Sequence, residues 1–318
     1  MKNTISVFAP ATVANVAVGF DILGFPFDSV GDVITVTKID RPEVVISAIT
    51  GTTEIIPLDA SKNVSGVVLI ELMKQLNLSH GFEISIHKGI PLGSGMGGSA
   101  ASSVGALVAA NEWLGNPLTK NELLKLSLLG EKSASGAAHG DNVTPCLFGG
   151  LTLTRSLDPV DVIKIPVPDS IHAVLVHPHF RLDTSVSRSV LRTSLPISDF
   201  VKQSANLAGF IAACYNNDLD LIRRSLKDVL IEPKRAPLIP GFDFAKEAAL
   251  SNGALGCSIS GSGPSFFAWC DGKKSAELVK ESVVEAFKKE TIQSDGWVGK
   301  ISQQGAKVID VKEKVLTA

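Results

Sequence analysis

The chain has one Tyr and three Trp among 318 residues, and a net charge of only −2. Without stacking rings or a basic excess it lacks both the platform and the field for nucleic acid, and nothing pulls it toward an anionic membrane. Its four cysteines, Cys146, Cys214, Cys257 and Cys270, form no C-x-x-C pair and sit in apolar stretches. That pattern predicts small buried thiols in a reducing compartment. No run of eighteen apolar residues occurs, and the first residues turn at Ala9-Pro10 before an apolar stretch can accumulate. Neither a membrane span nor a signal peptide is expected, and the cytoplasm is the expected location.

Glycine is concentrated where other features are sparse. Gly93-Ser-Gly-Met-Gly-Gly98 places four glycines in six residues and runs into the small-residue helix predicted over Ser99 to Asn111. Glycines let the backbone approach a ligand at positive φ, and a helix start offers unpaired N–H groups with roughly half a positive charge. The segment therefore predicts an anion site. Gly93, Gly95 and Gly98 fit G-x-G-x-x-G, but a second helix (Asn121 to Ser133) follows where a dinucleotide fold needs a strand. Gly93 and Gly98 also have Walker spacing, yet Ser99-Ala100 replaces the lysine and hydroxyl. The downstream signatures of protein kinases are absent.

Length suggests two domains, divided as residues 1–165 and 166–318. Alternation predicts strands at 4–9, 32–39, 44–49 and 82–87, and helical spacing predicts a helix over 63–78. A strand follows Gly149-Gly150, and 163–168 reads as the crossing to the second domain. That domain shows a strand at 172–177, helices at 186–192, 198–216, 219–226, 243–251 and 275–288, a proline-bracketed loop at 232–241, a strand at 265–270, and two strands near 297–302 and 306–311. Strands followed by clustered helices indicate an α+β class.

Other segments are rich in functional groups. Asn15 and Asp21 are lone polar residues in an apolar, loop-like run, fit either to cap a turn or to face a cationic substrate group. Glu131, near the phosphate loop, is a solvated helix end or a magnesium ligand. In Gly136-Ala-Ala-His139-Gly-Asp141-Asn142, either Asp141 or Asn142 could orient a hydroxyl nucleophile, while His139 reads as a satisfied loop histidine. Arg181, Arg188 and Arg235 are forks for carboxylate or phosphate, and Arg235 in its rigid loop is the best placed. Ser260-Gly-Ser-Gly-Pro264 is a second glycine turn able to line a pocket. His177-Pro-His179 has no third ligand nearby and reads as structural.

Together, A-P-A-T-x-A-N…G-F-D at residue 9 onward, P-x-x-x-G-x-G-x-S-A-A from Pro91, and S-G-S-G-P at 260–264 resemble the homoserine kinases of the GHMP small-molecule kinase superfamily, over nearly the whole chain. Met96 and Gly98 depart from the usual G-L-G-S-S-A form, and Gly98 lacks a hydroxyl near the phosphates. The resemblance implies an N-terminal domain like ribosomal protein S5 domain 2 and a ferredoxin-like C-terminal domain, with the site between them. It implies ATP phosphates on the loop formed by Pro91, Gly93, Ser94, Gly95, Met96, Gly97, Gly98, Ser99 and Ala100, with Asn63 and Lys88 near the nucleotide and Mg2+ held by Ser99 and Glu131. Arg188 and Arg235 would clamp the carboxylate of L-homoserine, and Asp21 with Asn15 would meet its ammonium group. Asn142 would orient the hydroxyl, ranked ahead of Asp141 as a base, and Thr184 and Gly261 would complete the pocket. The implied reaction is Mg-ATP-dependent phosphorylation of the homoserine side-chain hydroxyl, a step toward threonine. Its rivals are a mevalonate- or sugar-type kinase of the same superfamily, and a silent family member that only binds ligand. A homodimer is compatible with the sequence.

Overall fold

The computed structural model describes residues 3–135, 139–191 and 194–310. The expected helical residue Arg192, Gly136 to Ala138 of the segment leading to Asp141, and Val311 at the end of the last expected strand lie outside them. The first half contains β1 (Thr4–Ala14), β2 (Leu23–Ile39), β3 (Val44–Thr50), α1 (Val64–Gln75), β4 (Gly81–His87), α2 (Gly98–Trp113), α3 (Lys120–Ser135), α4 (Gly140–Phe148), β5 (Leu151–Leu157) and β6 (Val160–Ile165). The second contains β7 (Ile171–Pro178), α5 (Thr184–Ser189), α6 (Ile197–Asn216), α7 (Leu219–Ser225), α8 (Glu232–Arg235), α9 (Phe242–Ser251), β8 (Ala254–Ile259), β9 (Phe266–Asp271), α10 (Lys273–Lys289), β10 (Ser294–Gly299) and β11 (Lys307–Ile309).

The first sheet runs β11-β1-β2-β4-β3, with β5 on β2 and β6 on β5; only β3 and β4 pair in parallel. The second is antiparallel in the order β10-β7-β9-β8. Taken with the intervening helices, that order is the β-α-β-β-α-β ferredoxin-like arrangement. The α+β expectation holds.

Several local expectations change. Chain reversal at Ala9-Pro10 does not occur: β1 continues to Ala14, and Pro10, which has no N–H to give the ladder, sits where the pairing with β2 shifts register. Residues 163–165 end β6 instead of crossing between domains. The final strand returns to pair with β1 in the first sheet, so the chain's last described segment lies beyond a simple cut at residue 165. Long-range strand pairing of this kind leaves no local signal.

Helix α2 is buried on nearly every side. Its Ala, Ser and Gly residues allow this, since a helix without a polar face must be enclosed. At Gly105 an added Cβ would lie 2.5 Å from Ile34 Cδ1, which is the close helix–sheet approach that brings the start of α2 under the phosphate loop. The two sheets share one apolar core. Phe25 of β2 lies edge-on to Phe267 at 6.2 Å and tilted against Trp269 at 6.0 Å, while Phe210 of α6 covers Trp269 at 5.2 Å. The site is thus built across a packed apolar contact between the sheets.

Candidate active site

The glycine loop is organised by its carbonyls. Gly93 O accepts from Leu182 N (3.0 Å), Ser94 O from Ser265 N (3.1 Å), and Met96 O from Thr12 N (3.0 Å). Gly95 O accepts from Ser260 Oγ (2.8 Å), Gly97 O from Ala101 N (2.9 Å), and Gly98 O from Lys88 Nζ (3.2 Å). Six successive carbonyls are therefore occupied by the protein itself. Among the described residues, none of the N–H groups from Gly95 to Ser99 has an acceptor. Gly97 caps α2 in the left-handed region (φ 71°) without a side-chain cap. A helix start left uncapped with its amides free is a ready anion site. Packing explains the glycines at 95 and 97: a Cβ at Gly95 would meet Ser260 O at 2.4 Å, and one at Gly97 would meet Thr12 Oγ1 at 1.9 Å.

Gly98 is different. A Cβ there would sit in ordinary contact, 3.5 Å from Ile90 Cγ2 and 3.6 Å from Lys88 Nζ. Gly98→Ser should therefore fold with a stability change within about 0.5 kcal/mol and leave the KM for ATP within a few fold. A thermal melt and an ATP titration check this; a large loss in either means that the loop needs glycine at this position.

Lys88 is buried and ion-paired with Asp32, and it also donates to Gly98 O and to Ser102 Oγ at 3.1 Å. Asp32 in turn accepts from Gly89 N and Ile90 N, both at 3.0 Å. The expected nucleotide neighbour thus fastens the loop to β2 through a satisfied buried pair. Asn63 likewise spends its amide locally: it accepts from Ser65 N (3.0 Å), capping α1, and donates to Pro57 O (2.9 Å).

A cavity of about 280 Å³ opens above the loop. It is lined by Asn63, Lys88, Pro91, Gly93, Ser94, Gly95, Gly97, Gly98, Ser99 and Glu131, and by Asn15, Asp21, Asp141, Asn142, Thr184, Arg188, Arg235 and Gly261. Met96 and Ala100 are the exceptions among the expected residues. Both are fully buried in the core, so neither side chain reaches the cavity.

Ser99 Oγ donates to Glu131 Oε2 at 2.8 Å. This places two hard oxygen donors at the start of α2. Among the described residues no group of three His, Cys, Asp or Glu could hold a metal unaided. The donor set fits an ion that takes one carboxylate, one hydroxyl and phosphate or water oxygens, which is the habit of magnesium.

In the same cavity, Arg188 grips Asp21 with two bonds, 2.9 Å from Nη2 and 3.2 Å from Nη1. His139, just before α4, brings Nδ1 to 3.4 Å from Asp21 Oδ2, and burial holds its pKa below the usual value. Arg235 is almost wholly buried. It sits on the one-turn helix α8 instead of the expected loop, donating Nε to Ser187 O (3.1 Å) and Nη1 to Gly261 O (2.8 Å). Burial, then the nearby Arg188 charge, lowers its pKa to about 10. It remains a cation at neutral pH.

Asn15 does not present its amide freely. Nδ2 donates to Gly261 O (2.9 Å) and Oδ1 accepts from Asp21 N (3.0 Å), so it holds Asp21 in place and ties the turn to the second glycine segment. That turn is demanding, since Asn15, Val16, Ala17 and Asp21 all have positive φ, an uncommon state for residues with a Cβ. Gln203 of α6 helps fix it, donating to Val18 O (3.2 Å) and accepting from Val229 N (3.0 Å), while buried. Gln203→Leu should cost about 1–3 kcal/mol, through the polar groups it leaves unpaired. Denaturant unfolding measures this, and an unchanged midpoint removes Gln203 from the scaffold.

Asn142 Oδ1 accepts from Thr12 Oγ1 at 2.7 Å, which orients its NH2 as the end left to donate. The neighbouring Asp141 carboxyl is buried, and its pKa rises to about 7, first from burial and then from the charges of Asp21 and Glu131.

The family can now be decided. The chain matches the GHMP kinases N terminal domain over residues 63–150 and the GHMP kinases C terminal domain over 210–289. It is 49% identical over 305 residues to a homoserine kinase of Xylella fastidiosa (strain M12), covering 95% of this chain and 93% of that one. The chain belongs to the homoserine kinases, a GHMP kinase family. A homoserine kinase of Chlorobium phaeovibrioides is 46% identical over 314 residues, covering 95% of this chain and 98% of its own. The crystal structure of homoserine kinase from Cytophaga hutchinsonii superposes with a TM-score of 0.95 at 46% identity, over 97% of this chain and 98% of that one. The two-domain GHMP kinase fold expected from the motifs is thereby shown, as is an ATP-dependent kinase acting on a hydroxyl group. Among the described residues no helix is long and apolar enough to cross a membrane.

For a homoserine kinase, the sequence missed Thr12, Asp32, Phe20 and Gln203, which hold the site from behind, and gave His139 no place in it. Thr12 and Phe20 are letters of the A-P-A-T-x-A-N…G-F-D segment, which could have pointed to them; Asp32 and Gln203 carry no spacing signal of their own. His177-Pro-His179 does read correctly as structural: His177 is buried against Ser265 Oγ at 3.1 Å and His179 meets Asp295 at 2.9 Å.

Proposed function

We propose that this chain transfers the γ-phosphoryl group of ATP to the side-chain hydroxyl of L-homoserine, giving O-phospho-L-homoserine, a step toward threonine. One observation carries this most: the loop with its carbonyls occupied and its amides free lines the same cavity as two arginines and an aspartate. The amides suit the phosphates, and the arginines with the aspartate suit a zwitterion. Arg188 and Arg235 take the carboxylate, and Asp21, held by Asn15, takes the ammonium group. Thr184 and Gly261 close the pocket around the aliphatic carbons.

Asn142 donates to the acceptor hydroxyl and Asp141 accepts its proton. The hydroxyl oxygen forms its bond to the γ-phosphorus as the bond to the ADP oxygen breaks, and the electron pair leaves with ADP. A base with a pKa near the working pH is favoured, and such transfer rests mainly on positioning and charge stabilisation. The raised pKa of Asp141 supports a larger share for it than positioning by Asn142 alone. Ser99 and Glu131 would hold Mg2+, which neutralises phosphate charge when bound.

ADP release measured with homoserine, mevalonate, galactose and shikimate tests the proposal. Turnover with homoserine alone is expected. Preference for mevalonate or galactose overturns the substrate, and ATP binding without turnover on any of the four overturns the activity.

A further inference from the structure

Two guanidinium groups lie over one aromatic ring. Arg188 Cζ is 5.5 Å and Arg235 Cζ 5.2 Å from the centroid of Phe20. The three residues come from separate elements: Arg188 from α5, Arg235 from α8, and Phe20 from the turn between β1 and β2. The two like charges repel each other, and burial, followed by the Arg188 charge, lowers the Arg235 pKa. Asp21, Asp141 and Asp228 offset part of that repulsion, and the ring face that both guanidinium groups share offsets more.

Donors are scarce here as well. Arg188 spends Nη1 and Nη2 on Asp21, and Arg235 spends Nε and Nη1 on the carbonyls of Ser187 and Gly261. A carboxylate brought in for support would consume further N–H groups. A ring face attracts a guanidinium through its quadrupole and consumes none. The ring is also well anchored, because it lies in the positive-φ turn pinned by Asn15 and Gln203. Its position is set by the turn before any ligand arrives.

We infer that Phe20 is a positioning residue that brackets Arg188 and Arg235 and thereby sets the selectivity of the site for an acceptor bearing a carboxylate. The inference rests on the proposed carboxylate clamp. Phe20 touches no reacting atom; it keeps two forks side by side with their remaining N–H groups unspent.

The test compares Phe20→Leu and Phe20→Tyr with the parent enzyme on two acceptors, L-homoserine and propanolamine, the same skeleton without the carboxylate. Phe20→Leu should raise the KM for homoserine about tenfold, the loss of two cation–π contacts. It should leave the KM for ATP and turnover on propanolamine unchanged. Phe20→Tyr, which restores a ring face, should fall within about threefold of the parent. Should Leu at this position fail to fold, Phe20→Met, apolar and adaptable, serves in the same comparison. Equal losses on both acceptors, or no rescue by Tyr, overturn the inference and leave Phe20 as packing. An Arg235→Leu control separates the two levels. A normal homoserine KM in Phe20→Leu beside an impaired Arg235→Leu overturns the bracket alone, whereas a normal KM in both overturns the clamp and the bracket together.

Discussion

Replacing Asp141 by Asn should lower kcat by about 10²–10⁴ and, at the same time, make the protein more stable above pH 7. The carboxyl is buried, with Asp21 and Glu131 nearby, and these push its pKa from 3.8 to about 7. A carboxyl whose folded pKa is raised binds its proton more tightly when folded. Its contribution to stability is therefore fully present below about pH 4 and is lost as pH rises through about 7. The full difference is on the order of 4 kcal/mol, at about 1.4 kcal/mol per unit. Asn cannot ionise, so the variant escapes that loss. Melting curves should show a smaller gain for Asp141→Asn at pH 5 than at pH 8, while kcat falls. The parent kcat should climb as pH passes through about 7, because the base must be ionised to accept the hydroxyl proton. If kcat in the variant is near that of the parent, Asp141 is only a neighbour, and positioning by Asn142 suffices. If kcat falls but the melting gain is the same at both pH values, the carboxyl is not held protonated by its surroundings.

Arg235→Leu should weaken the use of homoserine by about 2–5 kcal/mol, roughly thirty- to five-thousandfold in kcat/KM. The effect should fall on the KM for homoserine and barely on that for ATP. Arg235 approaches the cavity from α8, while the Ser99–Glu131 pair lies at the start of α2. The substitution also strips donors from Ser187 O and Gly261 O, but Gly261 O keeps its bond from Asn15 Nδ2. The second glycine turn should stay in place, and a melt of the variant checks that it does. Arg235→Lys keeps the charge and loses the fork, so it should fall between the parent and Leu. An unaltered homoserine KM in Arg235→Leu, with folding intact, contradicts the clamp.

Much of this site could be read from the chain because its chemistry is local. Four glycines ahead of a small-residue helix specify free amides wherever the fold places them, and Ser99, Asp21, Asn142, Arg188 and Arg235 are functional groups in short, dense segments. The fold class followed from strand alternation and helical spacing. What the sequence hid depends on partners far away in the chain. Lys88 looks like a free cation until Asp32, 56 residues earlier, is found against it. Asn15 and Asn63 look available until backbone groups claim both ends of each amide. The pKa of Asp141 is set by burial and by charges on two other elements. Pro10 suggested a break, yet β1 absorbs it as a register shift, and β11 reaches the first sheet from the far end of the second half.

The central claim is that one set of residues in the cavity recognises a zwitterion while another holds the nucleotide. The most direct measurement is kcat/KM for L-homoserine against propanolamine, which lacks the carboxylate, and γ-hydroxybutyrate, which lacks the amine, at saturating ATP. Each analogue should fall by at least about thirtyfold, the low end expected for losing a charge-assisted contact, with the KM for ATP unchanged. If either analogue matches homoserine, the charged group it lacks is not recognised, and the assignment of the arginines or of Asp21 to that group is wrong.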